Sequence, residues 1–202
     1  MPRYRFYREH KYVSHALNDL ERKIAKCDFR NQEEVEVLRE QFVNLKNMLL
    51  SHATHEDTGI HELLRQRGSQ LAEPCEAEHK AQESAIASIQ SHWDAFPYLV
   101  NAAQRLESGQ ELYLIYRKFL AEMLLHLDYE ERSLMPELQR LCTDEELGSV
   151  DAKTYAVMTS EDMVNMLDVL SPHMNPSDLD FFLADIQRTQ AEKYRLVQSR
   201  YS

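Results

Sequence analysis

The chain is poor in the residues that interrupt helices, with four glycines and six prolines in 202 residues. Glycine and proline cost a helix interior about 1 and about 3 kcal/mol. Their scarcity, beside abundant Leu, Glu, Gln, Arg and Ala, makes an all-α fold the expectation. Cysteine is scarcer still. Cys27, Cys75 and Cys142 are odd in number, widely separated and without a Cys-x-x-Cys, which argues against a disulfide framework or a thiolate zinc site and suits a reducing compartment. Basic residues are outnumbered, 23 Lys and Arg against 34 Asp and Glu. The net charge of -11 lacks the basic face that phosphate binding requires, so no nucleic-acid partner is expected. No run approaches the ~18 apolar residues of a membrane span, and Met1-Pro2-Arg3-Tyr4-Arg5-Phe6 has no apolar signal core. The expectation is a cytoplasmic protein with no membrane partner.

What is present is a pair of polar intrusions into apolar helical stripes. Leu112, Tyr116, Phe119 and Met123 recur every three or four residues, His126 and Glu130 take the next two places, and Leu134 resumes the pattern. The same device occurs earlier, where Leu38, Phe42, Leu45 and Leu49 lead into His52 and Glu56, with Ile60 and Leu63 continuing. Buried imidazoles and carboxylates cost several kcal/mol unless paired, hydrogen-bonded or metal-bound. Four residues apart, the two side chains lie one above the other on one helical face and can reach a shared ion.

Two further histidines complete the pattern. A first helix from near Phe6 to about Cys27 has Phe6, Val13, Leu17, Leu20 and Ile24 on its apolar face. At 100° per residue His10 falls within that face, and His15 points away as a solvated residue. A third helix opens at Glu73-Pro74, with Cys75, His79, Ile86, Trp93, Phe96 and Val100 on its face. Pro97 interrupts it, and Glu107-Ser108-Gly109 is read as the turn into the fourth helix. Glu9-His10-Lys11 precedes Val13 and Leu17 as Glu78-His79-Lys80 precedes Gln82 and Ile86, so each half is a histidine helix followed by a His-x-x-x-Glu helix. The expected architecture is an up-down-up-down four-helix bundle over residues 1–142, with six inward groups at one level of its core. Residues 143–202 form a helical extension that docks on the bundle or on a partner. Its helices start at Thr143-Asp144-Glu145-Glu146, at Thr159 or Ser160, and at Asn175-Pro176, the last running to about Tyr201.

Four histidines and two glutamates suit two ions, and imidazole with carboxylate suits iron or manganese and is tolerable for zinc. On these motifs the chain resembles the hemerythrin-like, HHE cation-binding family of di-iron four-helix bundles. The resemblance covers roughly residues 5 to 140 and rests mainly on His52-Ala53-Thr54-His55-Glu56 and on His126-x-x-x-Glu130-Glu131-x-x-Leu134-x-Pro136. It implies His10, His52, Glu56, His79, His126 and Glu130 as ligands of two Fe ions. Two departures stand out. Cys75 occupies the place of the oxygen carriers' fifth histidine, and the His126–Glu130 spacing is that of bacterial relatives linked to oxygen or nitric oxide response and to iron-sulfur repair.

Three roles fit: binding or sensing O2, NO or peroxide, or handling iron under such stress; enzymatic iron-sulfur cluster repair or peroxide or NO turnover; and an interaction module, as a homodimer or with a protein partner through the C-terminal helices. Cys75 is expected to stay a neutral thiol beside a nearly symmetric pair of metals. His55 and His61 are read as exposed flanks, His92 and His173 as packing and loop residues, and Tyr129 as packing or a hydrogen bond near the site.

Overall fold

The structure, a computed structural model, describes residues 9–201; Phe6 and the expected helix start beside it lie outside the described residues. Among the described residues the chain is all-helical. Helix α1 is His10–Lys26. Helix α2 spans 32–66 as an α-helix Gln32–His55, a π-helical turn Glu56–Ile60 and an α-helical end His61–Gln66. Helix α3 is Ala72–Ala95, closed by a 3-10 turn Phe96–Tyr98. Helix α4 repeats the form of α2 over 102–141, with Ala102–Tyr129, a π-helical turn Glu130–Leu134 and Met135–Leu141. Helices α5 (Asp144–Val157), α6 (Ser160–Leu170), α7 (Pro176–Thr189) and α8 (Ala191–Tyr201) follow. No helix among the described residues is long and apolar enough to cross a membrane.

Local chemistry sets these boundaries. Asn31, Asn101, Thr143, Thr159 and Asn175 each accept a backbone N–H of the first turn, and Thr143 and Thr159 form reciprocal capping boxes with Glu146 and Asp162. Gly68 ends α2 in the left-handed region at φ 77°, a conformation that only glycine adopts without strain. Pro74 lies at the third rather than the first position of α3, where its missing N–H is still one that no helical carbonyl needs.

The four long helices pack in the cyclic order α1, α2, α3, α4 and back to α1. Their main core holds Val13, Leu17, Phe42, Trp93, Tyr116 and Phe119. Burying each such large side chain contributes about 1.5–3 kcal/mol. A second apolar cluster, with Ile60, Leu64, Ala72, Cys75, Leu134 and Leu138, lies beyond the two π-turns. The extension packs back on the chain: α6 lies on α1 and α2, α5 touches the π-turn of α2, and Leu170 joins the main core. Tyr155, Met163, Leu167, Phe182 and Ile186 form its own cluster.

Four expectations need correction. The last helix is divided at Gln190, which breaks α7 from α8. Val100 is 85 % exposed because α3 has already ended at Tyr98. Leu64, not Leu63, takes the buried place on α2, since the π-turn accommodates one extra residue and sets every later side chain back by about 100°. Gly109 is not a turn residue; it lies inside α4, where an added Cβ would overlap the Phe29 ring. Gly109→Ala should therefore destabilise the protein, the overlap of about 1–3 kcal/mol outweighing the roughly 1 kcal/mol helix-propensity gain. Urea unfolding checks it; an unchanged or higher midpoint would show that Phe29 moves aside freely.

Candidate metal centre

All six residues singled out in the sequence come together between the two apolar clusters. His10, Glu56, His79, His126 and Glu130 are at most 3 % exposed, and His52 is 16 % exposed. The two π-turns begin at the two glutamates, so each carboxylate projects where its helix is locally widened. π-Turns of this kind are concentrated at functional sites.

The carboxylate oxygens are divided between two groups of histidines. Glu56 Oε1 lies 3.2 Å from His52 Nε2 and 3.5 Å from His10 Nε2, while its Oε2 lies 3.5 Å from His79 Nε2. Glu130 Oε2 lies 3.7 Å from His10 Nε2, while its Oε1 lies 3.5 Å from His126 Nε2. His79 Nε2 and His126 Nε2 are 3.0 Å apart. Atoms bonded at about 2.1 Å to one ion lie about 3.0 Å apart in an octahedron and about 3.4 Å apart in a tetrahedron. The 3.0 and 3.2 Å separations fall in that range and those of 3.5–3.7 Å lie just above it, so the groups could hold metal ions, with His10 and His52 on one side and His79 and His126 on the other.

Unmet hydrogen bonding points the same way. Both oxygens of Glu56, both of Glu130, and Nε2 of His52 and of His61 are buried with no hydrogen-bond partner among the described residues. Such groups cost about 1–3 kcal/mol each, more when charged. Among the described residues, the ion pairs of Glu56 and Glu130 are all with histidines. A cation between the carboxylates would satisfy these atoms together, and the donor set of imidazole and carboxylate fits iron or manganese.

Around this layer lies a ring of carboxylates that the sequence reading missed. Asp57 Oδ1 is 2.9 Å from His79 Nδ1, Glu78 Oε2 is 2.8 Å from His126 Nδ1, and Glu131 Oε1 is 3.4 Å from His10 Nδ1. Each contacts Nδ1 and so orients its imidazole with Nε2 turned toward the two core glutamates. The signal was adjacency: Asp57 and Glu131 each follow one of the two core glutamates, and Glu78 precedes His79. His61, expected at an exposed flank, is fully buried in the cluster, for the same phase reason as Leu64. His15 is exposed as expected and stacks on His173 at 6.4 Å. Tyr129 donates to Leu71 O rather than to the site. His55 is half-buried and borders, with His52, Glu56, Met48, Met158 and Phe182, a cavity of about 80 Å³ under the C-terminal helices.

Charge is unevenly held. Burial and the nearby Glu56 charge push the Glu130 carboxyl well above its usual range. Glu56 is held well below its usual range, because His52, His10 and His79 outweigh its burial. For His10 burial is opposed by Glu131, Glu56 and Glu130, and the pKa rises to about 10. Burial takes His52 down to about 4. Cys75 is fully enclosed, and burial and the Glu130 and Glu78 charges push its thiol up. A neutral thiol in an apolar cluster results.

A scan against protein-family models finds no matching model, and searches of curated proteins and of solved structures find no match.

Metal-free protein carries a proton on His10 at pH 7, and a coordinating imidazole must lose it, so the metal-free state binds more protons than the loaded one. Metal uptake should release at least one proton per chain, and affinity should rise as pH rises toward 10. Calorimetric titrations in buffers of different ionisation enthalpy measure the release; none at pH 7 would contradict the assignment. His10→Ala should abolish binding of at least one metal equivalent while His15→Ala leaves metal content unchanged, as read by elemental analysis.

Proposed function

We propose that the chain is a hemerythrin-like, non-haem di-iron protein in which α1 to α4 form an up-down-up-down four-helix bundle, and that it binds or senses O2, NO or peroxide. One observation carries this reading. Each of two buried carboxylates turns one oxygen toward one histidine group and the other oxygen toward the second. Two bridging ligands would be arranged in this way, which supports a site for two ions over a site for one.

His10 and His52 would hold one ion and His79 and His126 the other, with Glu56 and Glu130 across both. Manganese or zinc are possible substitutes with the same donors. Bound iron would supply Lewis acidity and one-electron redox chemistry toward small oxygen- or nitrogen-centred ligands. The protein's own part is to fix the imidazoles through Asp57, Glu78 and Glu131, and to keep bulk water out with the apolar clusters on either side. The cavity beside His52 supports a second reading, an enzyme of iron-sulfur repair or of peroxide or NO turnover, because it gives a substrate a place next to the metal layer.

Anaerobically prepared protein should contain two iron ions per chain, and O2, NO or peroxide should each perturb its optical spectrum. Reversible spectra mark a binding protein, and catalytic consumption marks the enzyme. A fully loaded preparation with a single ion would overturn the dinuclear reading.

A further inference from the structure

The C-terminal extension leaves a cavity of about 80 Å³ where α5, α6 and α7 close over α1 and α2. Its depth is apolar: Val13, Met48, Tyr155, Met158, Leu170 and Phe182 line it, each at most 7 % exposed. Its rim is polar. Asn47, Ser51 and His55 follow one another at four-residue steps, which puts them in one row on the face of α2. Asp162 and Asn165 stand across from that row on α6. Asn47 and Asp162 are exposed and the other three half-buried, so the row runs from the surface inward. His52, the least buried of the six residues at the candidate metal layer, lines the same cavity.

Size and lining select the occupant. A single water takes about 10–15 Å³ of such space and about 30 Å³ of liquid volume, so the cavity has room for roughly six waters or for one substituted aromatic ring of the same bulk. O2, NO or peroxide would fill only a fraction of it. The apolar depth and polar rim suit a molecule with an apolar body and one hydrogen-bonding end. Thioethers from Met48, Met158 and Met166, with the Tyr155 and Phe182 rings, favour an aromatic body, because sulfur and aromatic side chains both make favourable contacts with a ring. Glu9, Glu56 and Asp162 are on the lining and, among the described residues, no Lys or Arg is, which disfavours an anion. We propose that this cavity is a binding site for a neutral monocyclic aromatic molecule carrying a hydroxyl or amino group, its ring among the methionines and its polar group toward the row of Asn47, Ser51 and His55. Binding needs only the fold; that the ligand lies beside an ion, the one at His10 and His52, rests on the dinuclear reading above. The extension is then part of the site, since Tyr155, Met158, Met166 and Phe182 all come from it and the bundle alone would offer only an open face.

The test is calorimetric titration of the full chain, metal-free and iron-loaded, with phenol, aniline, benzoate and para-phenylphenol at neutral pH, together with NMR of the histidine rings in the metal-free form. Phenol and aniline should bind once per chain in both forms. Benzoate, by its charge, and para-phenylphenol, by its size, should bind roughly tenfold or more weakly. Phenol should shift the ring signals of His52 and His55 and leave that of His126 in place. Met166→Trp and Thr154→Phe, which fill the cavity from different helices, should each weaken phenol roughly tenfold or more, with a circular-dichroism spectrum like the parent's showing that the variant is folded. No binding by the parent, equal affinity for benzoate, a shift at His126 in place of His52, or parental affinity in either folded variant would overturn the site. Phenol binding to a chain that takes up fewer than two irons would leave the site standing and overturn the dinuclear reading instead.

Discussion

Two carboxylates, Glu56 and Glu130, are buried among histidines between two apolar clusters, and the arrangement of the long helices depends on what neutralises them. Removing one ion from water costs several kcal/mol even after relaxation, and two like charges at one level cannot both stay ionised without a counter-charge. The protein's internal answer is partial. Histidines keep Glu56 low, while Glu130 is driven upward and His10 holds a proton. Divalent ions would replace those protons and satisfy the unpaired oxygens and imidazole nitrogens at once.

The two π-turns give that layer its shape. Each starts at a core glutamate, and in each the next residue, Asp57 or Glu131, approaches a histidine on another helix. A widened turn thus aims two successive acidic side chains at the centre, one directly and one through an imidazole. The likeness ends beyond the turns, where His61 stands at the position that Met135 holds in the second half.

The layer was legible in the sequence because ionisable residues at apolar stripe positions violate the pattern that defines a core, and His10, His52, Glu56, His79, His126 and Glu130 all did so. The all-helical content followed from the scarcity of glycine and proline. What failed, failed for phase. A constant 100° per residue holds up to Glu56 and then misplaces Leu63, Leu64 and His61 by one position, because nothing in a periodicity count marks where a helix widens. Gly109 was misread because close approach by Phe29 and a turn both demand glycine, and composition does not separate them. Asp57, Glu78 and Glu131 look like ordinary surface acids until the neighbouring helix is in place.

The central claim is that Glu56 and Glu130 each bridge two ions. Anomalous diffraction from crystals of iron-loaded protein, collected on either side of the iron edge, tests it most directly. The account predicts two peaks between the carboxylates, one bonded to His10 and His52 and the other to His79 and His126, each sharing an oxygen of both glutamates. A single peak, or two peaks with either glutamate bound to only one of them, would contradict it.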